Sequence, residues 1–369
     1  MTTRRHLLQT GAYLAAAGLL PKAMAADSQP KTLLILGGTG FIGPHLTREA
    51  LRLGWRATHF NRGKHSPDGV PDVETLIGDR NGQLDALRGR KWDVVIDDTG
   101  MIPKYVKMSD DLLAPNVGYC LYISSISAYA SFAKPNDESS PTGKLADPDI
   151  DKVTDETYGP MKALCEQYSA DAFKGRACIV RPGYIVGPLD GSDRFTYWPV
   201  RASKGGDMLA PGTPHDPIQI IDVRDLAAWM MRLAQERTTG YFNAISPPRA
   251  FTMGDLISAS QHASPKAGTR ATWVPEDYLA KRWKPEELDL PPWSPMSGDT
   301  AGASLTATAR AQKAGLKTRP MHETVHDTLE WFHSLPADRQ AKLRAGLDPQ
   351  KEADTLRAWQ ISGGKTARA

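Results

Sequence analysis

The chain of 369 residues has little cysteine, little net charge and no long apolar run beyond its first residues. Its 3 cysteines, Cys120, Cys165 and Cys178, are odd in number and lack metal-ligand spacing, so neither a disulfide framework nor a metal centre is expected. Cys120 and Cys178 lie in apolar, strand-like stretches and read as buried small hydrophobes. The formal net charge is +3, and Arg4, Arg5 and Lys22 account for all of it, because residues 1–25 contain no acid. The balanced remainder argues against a broad nucleic-acid surface. No later apolar run approaches the ~20 residues that span a bilayer, so no stable membrane span is expected. At 40% hydrophobic and 24% charged, the composition suits one large globular domain or two.

At the N-terminus, Thr3-Arg-Arg-His-Leu-Leu-Gln9 precedes a modestly apolar run, Thr10 to Leu20. Pro21, Lys22 and the small-residue pattern Ala23-Met-Ala25 follow. The segment 1–25 resembles a bacterial twin-arginine export signal. The resemblance implies recognition by the twin-arginine machinery, a mature chain from Ala26 and a periplasmic location. That route carries folded proteins, so a cofactor would be loaded before export.

Lys31-Thr-Leu-Leu-Ile-Leu36 is a continuous apolar strand of the kind buried on both faces of a parallel sheet. It runs into Gly37-Gly-Thr-Gly40-Phe-Ile-Gly43, and a helix is expected from Phe41 to Leu53. Strand, glycine loop and helix form a phosphate cradle. Gly37, Thr39, Gly40, Phe41, Ile42 and Gly43 are its candidate residues. Further strands are expected at 56–60, 73–77, 93–97, 119–124 and 176–180, with helical segments such as 83–88 and 105–113 between them. The fold class is thus α/β, a Rossmann-like doubly wound parallel sheet with a smaller mixed C-terminal substrate region.

In such sheets the ligand lies beyond the carboxyl ends of the strands. The second strand ends in Asn61-Arg62, with no acid for a ribose diol, and Arg62 suits a 2′-phosphate. An NAD(P) cofactor is expected, with NADP favoured over NAD, although an arginine stacked on adenine would fit either. Asp79 and Arg80 end the third strand and are expected beside the adenine. Thr99 and Gly100 end the fourth. The fifth ends in the hydroxyl-rich run Ser124-Ser-Ile-Ser127-Ala-Tyr129.

Tyr158-Gly-Pro-Met-Lys162 places two polar residues one turn apart on a helix face. A lysine ammonium beside a phenol favours the phenolate and makes an acid/base pair. Taken with the glycine loop, the Ser125 run and Arg181-Pro-Gly-Tyr-Ile-Val-Gly-Pro188, these motifs resemble the extended short-chain dehydrogenase/reductase family of the epimerase/dehydratase type. Ile218-Gln-Ile-Ile-Asp222-Val-Arg-Asp225 adds a later match, and the resemblance covers residues 31–245.

The resemblance implies Tyr158 as acid/base, Lys162 lowering its pKa and holding the nicotinamide ribose, and Ser125 orienting the substrate oxygen. It places Ser124, Arg181, Pro182 and Gly183 at the cofactor, and Met101, Ser127 and Tyr184 at the substrate. Ser127 stands where dehydratases tend to carry an acid, which argues against sugar 4,6-dehydration. The runs Phe60-Asn-Arg-Gly63, Gly78-Asp-Arg80 and Ser124-Ser-Ile-Ser127 also resemble a subgroup that includes chloroplast stem-loop-binding proteins. That keeps a non-enzymatic RNA-binding reading open.

The organisation expected is a signal at 1–25, a nucleotide-binding domain at 26–187 and a substrate region at 188–335. Part of 214–245 returns to the first domain, and a charged tail occupies 336–369. Arg194-Phe-Thr-Tyr197-Trp-Pro-Val-Arg201 reads either as a packing helix or as a sugar- or aromatic-binding wall, with Arg194 or Arg201 hydrogen-bonding substrate and Tyr197 and the later Gln219 as further substrate candidates. Asp222 is expected to cap a helix, and residues 283–302 suggest a loop or lid. A homodimer is compatible with this organisation.

A periplasm supplies no recycling NADP pool, so a redox-neutral reaction with retained cofactor is expected. Epimerisation of a sugar or polyol hydroxyl through a transient ketone satisfies this, with a free or glycosidic sugar favoured over a nucleotide sugar. NADPH-dependent carbonyl reduction is the alternative activity.

Overall fold

The computed structural model describes residues 29–64 and 72–364. The export segment expected at 1–25 lies outside them. The central sheet contains β1 (Thr32–Leu36), β2 (Arg56–Asn61), β3 (Glu74–Ile77), β4 (Val94–Asp97), β5 (Cys120–Ile123), β6 (Ala177–Pro182) and a seventh strand, Gly240–Ala244. Their spatial order is Gly240–Ala244, β6, β5, β4, β1, β2, β3, with every pair parallel. Because β1 lies between β2 and β4, the winding reverses there and opens a crevice at the carboxyl ends.

Burial explains why these strands read as unbroken apolar runs. Leu33 and Ile35 join one core with Val94, Ile96, Leu121 and Ile123, whereas Leu34 and Leu36 join another with Val95 and Cys120. Side chains alternate between faces along a strand, and here both faces are covered. The first core is closed by α1 (Gly43–Arg52) and α5 (Val223–Glu236), through Leu46, Leu226 and Met230. The other side carries α2 (Pro103–Leu113) and α3 (Asp155–Phe173), which pack together. The helix expected over 83–88 is only a 3-10 turn, Asp85–Leu87.

A second core gathers the C-terminal half. It contains Trp198 of α4 (Tyr197–Ser203), Leu256 of α6 (Met253–Ala263), Trp293 and Val325. Strands Asp207–Pro211 and Arg270–Val274 pair in parallel, as do Tyr184–Val186 and Ile220–Asp222. Asp222 caps α5 by accepting the Arg224 N–H at 2.9 Å. The charged tail forms a helix, Pro349–Ile361, anchored by Glu352, which accepts Arg201 Nε at 2.6 Å and Leu209 N–H at 2.9 Å. Lys31–Ala369 is one compact unit.

Candidate active site

The glycine loop begins where β1 meets the crevice. Gly37 donates its N–H to Phe60 O at 2.9 Å and has φ +113°, a conformation that L side chains rarely adopt. A Cβ on Gly43 would lie 2.4 Å from the Gly38 carbonyl carbon, so the loop folds directly against the first turn of α1. That helix begins at Ile42 without a side-chain cap. Pro44 carries no N–H, and His45 and Leu46 donate to Ile42 O, so what this end offers a pyrophosphate is mainly the helix dipole and the glycine-loop backbone beside it.

Beyond β2, Asn61 Oδ1 accepts the Gly63 N–H at 2.8 Å, and the buried Asn61 Nδ2 has no partner among the described residues. Arg62 is exposed beside it. Asp79 exchanges backbone hydrogen bonds with Gln83 in a tight turn. Arg80 does not flank the adenine, as its position suggested. Its guanidinium makes a bidentate pair with Asp97, both bonds 2.6 Å, and reaches Ser109 Oγ at 2.8 Å. Asp97 Oδ1 also accepts the Gly100 N–H at 2.8 Å, so this pair shapes the Thr99–Gly100 turn.

The stretch Ile123-Ser124-Ser125 is held by three successive turns of α3. Lys162 Nζ donates to Ile123 O at 2.5 Å and to Gly100 O at 2.6 Å. Glu166 accepts Ser124 Oγ at 2.5 Å, and Ser125 stands near enough to the Tyr158 hydroxyl to favour its ionised form. Positions 158, 162 and 166 share one helix face because they are four apart. The helix starts at a Thr154/Thr157 capping box. It approaches so closely that a Cβ on Gly159 would meet Ser127 O at 2.0 Å.

Arg181, expected at the cofactor, instead gives Nε and Nη2 to Glu166 at 2.8 and 2.6 Å, and lies between the rings of Tyr129 and Tyr241. Ser124 is spent in the same buried network, so its hydroxyl is not free for a cofactor.

The charges differ from the simple pairing of Tyr158 with Lys162. Burial raises the Tyr158 pKa, and Ser125 and the charge of Arg194 oppose it. Lys162 is pushed down to about 8, mainly by burial. The cation that acts on the phenol is thus Arg194, while Lys162 faces two backbone carbonyls.

A cavity of ≈ 880 Å³ joins these groups. Of the residues expected at the cofactor, Phe41, Ile42, Thr99, Gly100, Ser124, Tyr158, Lys162, Pro182 and Gly183 line it, and Met101, Ser125, Ser127, Tyr184, Arg194 and Gln219 of the other candidates do so too. Gly37, Thr39, Gly40, Gly43, Asn61, Arg62, Asp79, Arg80 and Arg181 lie outside this lining. The Gln219 amide is consumed by Ser246 O, Thr306 O and Thr306 N–H, which corrects its assignment to substrate. Tyr197 is also corrected: its ring packs in the second core and borders a separate cavity beside the tail.

Four lining carboxyls escaped the sequence: Asp98, Asp155, Glu156 and Asp289. Asp98, beside Asp97 at the end of β4, is raised to about 7 by burial and then by Asp97, although it accepts the Gly43 N–H. The doublet Asp97-Asp98 was the available signal. Asp289 reaches the cavity from the 283–302 loop, where nothing in the sequence marked it.

No family model matches this chain. The chloroplast stem-loop binding protein of 41 kDa b from Arabidopsis thaliana is 27% identical over 71% of this chain and 68% of that protein. A Synechocystis protein named "Putative dihydroflavonol 4-reductase" is 23% identical over 81% of this chain and 94% of its own length. Among solved structures, UDP-N-acetylglucosamine 4-epimerase from Bacillus cereus matches with TM-score 0.60 and 17% identity, covering 83% of this chain and 98% of that one. UDP-glucose 4-epimerase from Thermotoga maritima, determined with UDP-glucose, matches with TM-score 0.57 and 14% identity, covering 82% and 98%. At these identities the likeness is one of fold: this chain has the Rossmann-like architecture on which those epimerases are built.

Proposed function

We propose that the protein is an NAD(P)-dependent epimerase or oxidoreductase that acts on a sugar or polyol hydroxyl through a transient ketone and retains its cofactor. The observation that carries this reading is the convergence of Ser125, Tyr158 and Lys162 on one cavity, at the carboxyl edge of the sheet beside its switch point. The residues fit a dinucleotide. The α1 N-terminus suits its pyrophosphate, and the orphaned Asn61 Nδ2 with Arg62 suits the adenosine ribose and favours NADP. Lys162 and Thr99 border the nicotinamide end. When bound, the cofactor supplies a hydride acceptor and donor.

The chain's own groups handle the proton. Ser125 Oγ and the Tyr158 hydroxyl converge on one substrate oxygen. As a phenolate Tyr158 takes the hydroxyl proton when the substrate is oxidised, and as the phenol so formed it returns a proton to the carbonyl oxygen when hydride comes back; burial, by raising its pKa, favours the phenol form. Arg194 holds positive charge near that phenol and steadies the phenolate as it forms. The export signal implies periplasmic work, where a redox-neutral cycle needs no external nucleotide. NADPH-dependent carbonyl reduction is the alternative if the protein stays in the cytoplasm.

The 27% identity to a stem-loop-binding protein favours a second reading, RNA binding by an enzyme-like fold. Tyr158→Phe separates the two. Under the enzyme reading it keeps bound nucleotide and loses turnover by about 10²–10⁴-fold; unchanged turnover refutes that reading, and RNA binding that survives the change without any turnover supports the other. Denaturing the exported protein and assaying released nucleotide tests retention. A nucleotide-free, freely exchanging enzyme would refute retention.

A further inference from the structure

The cavity's charges say what kind of carbohydrate it accepts. Its lining includes Asp98, Asp155, Glu156, Lys162, Arg194 and Asp289. Asp98, just beyond β4, faces the glycine loop at Gly43, and Lys162 faces the carbonyls of Gly100 and Ile123. The substrate end therefore holds one cation, Arg194, among three carboxylates.

Arg194 makes no ion pair among the described residues; its Nε donates to Ser192 Oγ at 3.2 Å and its guanidinium lies 5.3 Å from the Tyr184 ring centroid. The Asp289 carboxylate accepts no hydrogen bond among the described residues, and it lies within electrostatic reach of Arg194 and Asp155. Both charges also reach Tyr184, which is hydrogen-bonded to Ser294 on the same wall.

A diphosphate bound here would need cations or free helix N-termini. No other arginine lines this cavity, and several of the C-terminal half are paired elsewhere: Arg201 with Glu352, Arg224 with Asp222 and Asp327, Arg319 with Asp225, and Arg339 with Asp193. The N-terminus of α3 borders this end, but Thr154 caps it and Asp155 and Glu156 occupy its first turn. That terminus repels a second anion. A neutral diol differs, because each hydroxyl both donates and accepts, and it can bridge a guanidinium and a carboxylate.

We infer that the substrate end selects an uncharged polyhydroxylated ligand and rejects nucleoside diphosphates, with Arg194 and Asp289 gripping its hydroxyls. The inference rests on the carbohydrate reading above, and the export signal favours a free or glycosidic sugar independently of these charges.

Calorimetry on the purified protein with its bound cofactor tests it, using UDP and UDP-glucose against a panel of methyl glycosides and polyols. The expected result is saturable binding of a neutral ligand, insensitive to salt, and no saturation by UDP at millimolar concentration. Arg194→Met and Asp289→Asn should each weaken the neutral ligand about 10- to 100-fold, the range for hydrogen bonds to charged groups, with unchanged melting. Asp289→Lys should gain affinity for UDP. Micromolar UDP binding that Arg194→Met abolishes overturns the inference and leaves the carbohydrate reading standing. Failure of both ligand classes overturns the carbohydrate reading, and this inference with it.

Discussion

Replacing Glu166 by Gln tests whether the contact between α3 and the carboxyl edge of the sheet depends on charge. The Glu166 and Arg181 side chains are 2% and 4% exposed, and two hydrogen bonds of 2.8 and 2.6 Å join them. The amide can still accept from Ser124, but it leaves a guanidinium buried between two tyrosine rings without a counter-charge. Arg181 Nη1 already lacks a partner among the described residues, so little is available nearby to compensate.

Breaking such a buried pair costs about 3–5 kcal/mol. At about 2 °C per kcal/mol for a chain of this size, the melting midpoint should fall by about 6–10 °C. Scanning calorimetry measures the drop, and urea titration checks that it is a stability change rather than a change of mechanism. The double variant Glu166→Leu/Arg181→Met should recover most of the loss, because an apolar pair of similar volume removes the unpaired charge. A Glu166→Gln protein within about 1 kcal/mol of the parent would mean that the pair acts like an exposed one, and the reasoning would fail.

Other expectations follow from the same geometry. Gly43→Ala forces a Cβ to 2.4 Å from the Gly38 backbone, so the protein should purify with far less bound nucleotide, measured by release on denaturation. Asp98 and Asp110 are both raised from 3.8 to about 7, with burial the larger cause. A carboxyl with a raised folded pKa binds its proton more tightly when folded, so its contribution falls as pH rises from about 4 to about 7 and is flat above. Asp98→Asn should flatten its share of that slope in melting curves taken across the range; an unchanged slope would contradict the assignment. Lys162→Arg should lose turnover nearly as fully as Lys162→Met, since a planar guanidinium cannot replace a point donor between two carbonyls; steady-state rates decide this.

The strands were legible because a sheet covered on both faces demands unbroken apolar runs, as in Leu33 to Leu36. The strand–glycine loop–helix arrangement was legible because the glycine spacing and the flanking elements leave one sensible arrangement. Side-chain direction was not legible. Arg80 and Arg181 stand at strand ends, where a cofactor arginine would also stand, but their partners Asp97 and Glu166 lie 17 and 15 positions away. Only the packing of β4 beside β1, and of α3 over β5 and β6, brings those carboxylates to them. The aromatic run at 194–201 was divided the same way: Arg194 faces the cavity, whereas the ring of Tyr197 turns into the second core. Asp289 lies in a loop with no periodicity at all, so nothing local fixed where its carboxylate would arrive.

The placement of Lys162 joins structure to chemistry. An ammonium has three N–H groups. Two are committed, to Gly100 O and Ile123 O, and these carbonyls end β4 and β5. The lysine therefore brackets neighbouring strand ends as well as lining the cavity. Its third N–H remains for a ribose hydroxyl, and binding there need not break either existing bond. The same bracket accounts for the modest electrostatic role of Lys162 toward Tyr158. Its ammonium is held by two backbone carbonyls, and the positive charge that lowers the Tyr158 pKa is that of Arg194. Acid/base tuning in this site is thus divided between a lysine that fixes the floor and an arginine on the cavity wall. If Arg194 grips the substrate as inferred above, the group that recognises the ligand also helps set the proton affinity of the group that acts on it.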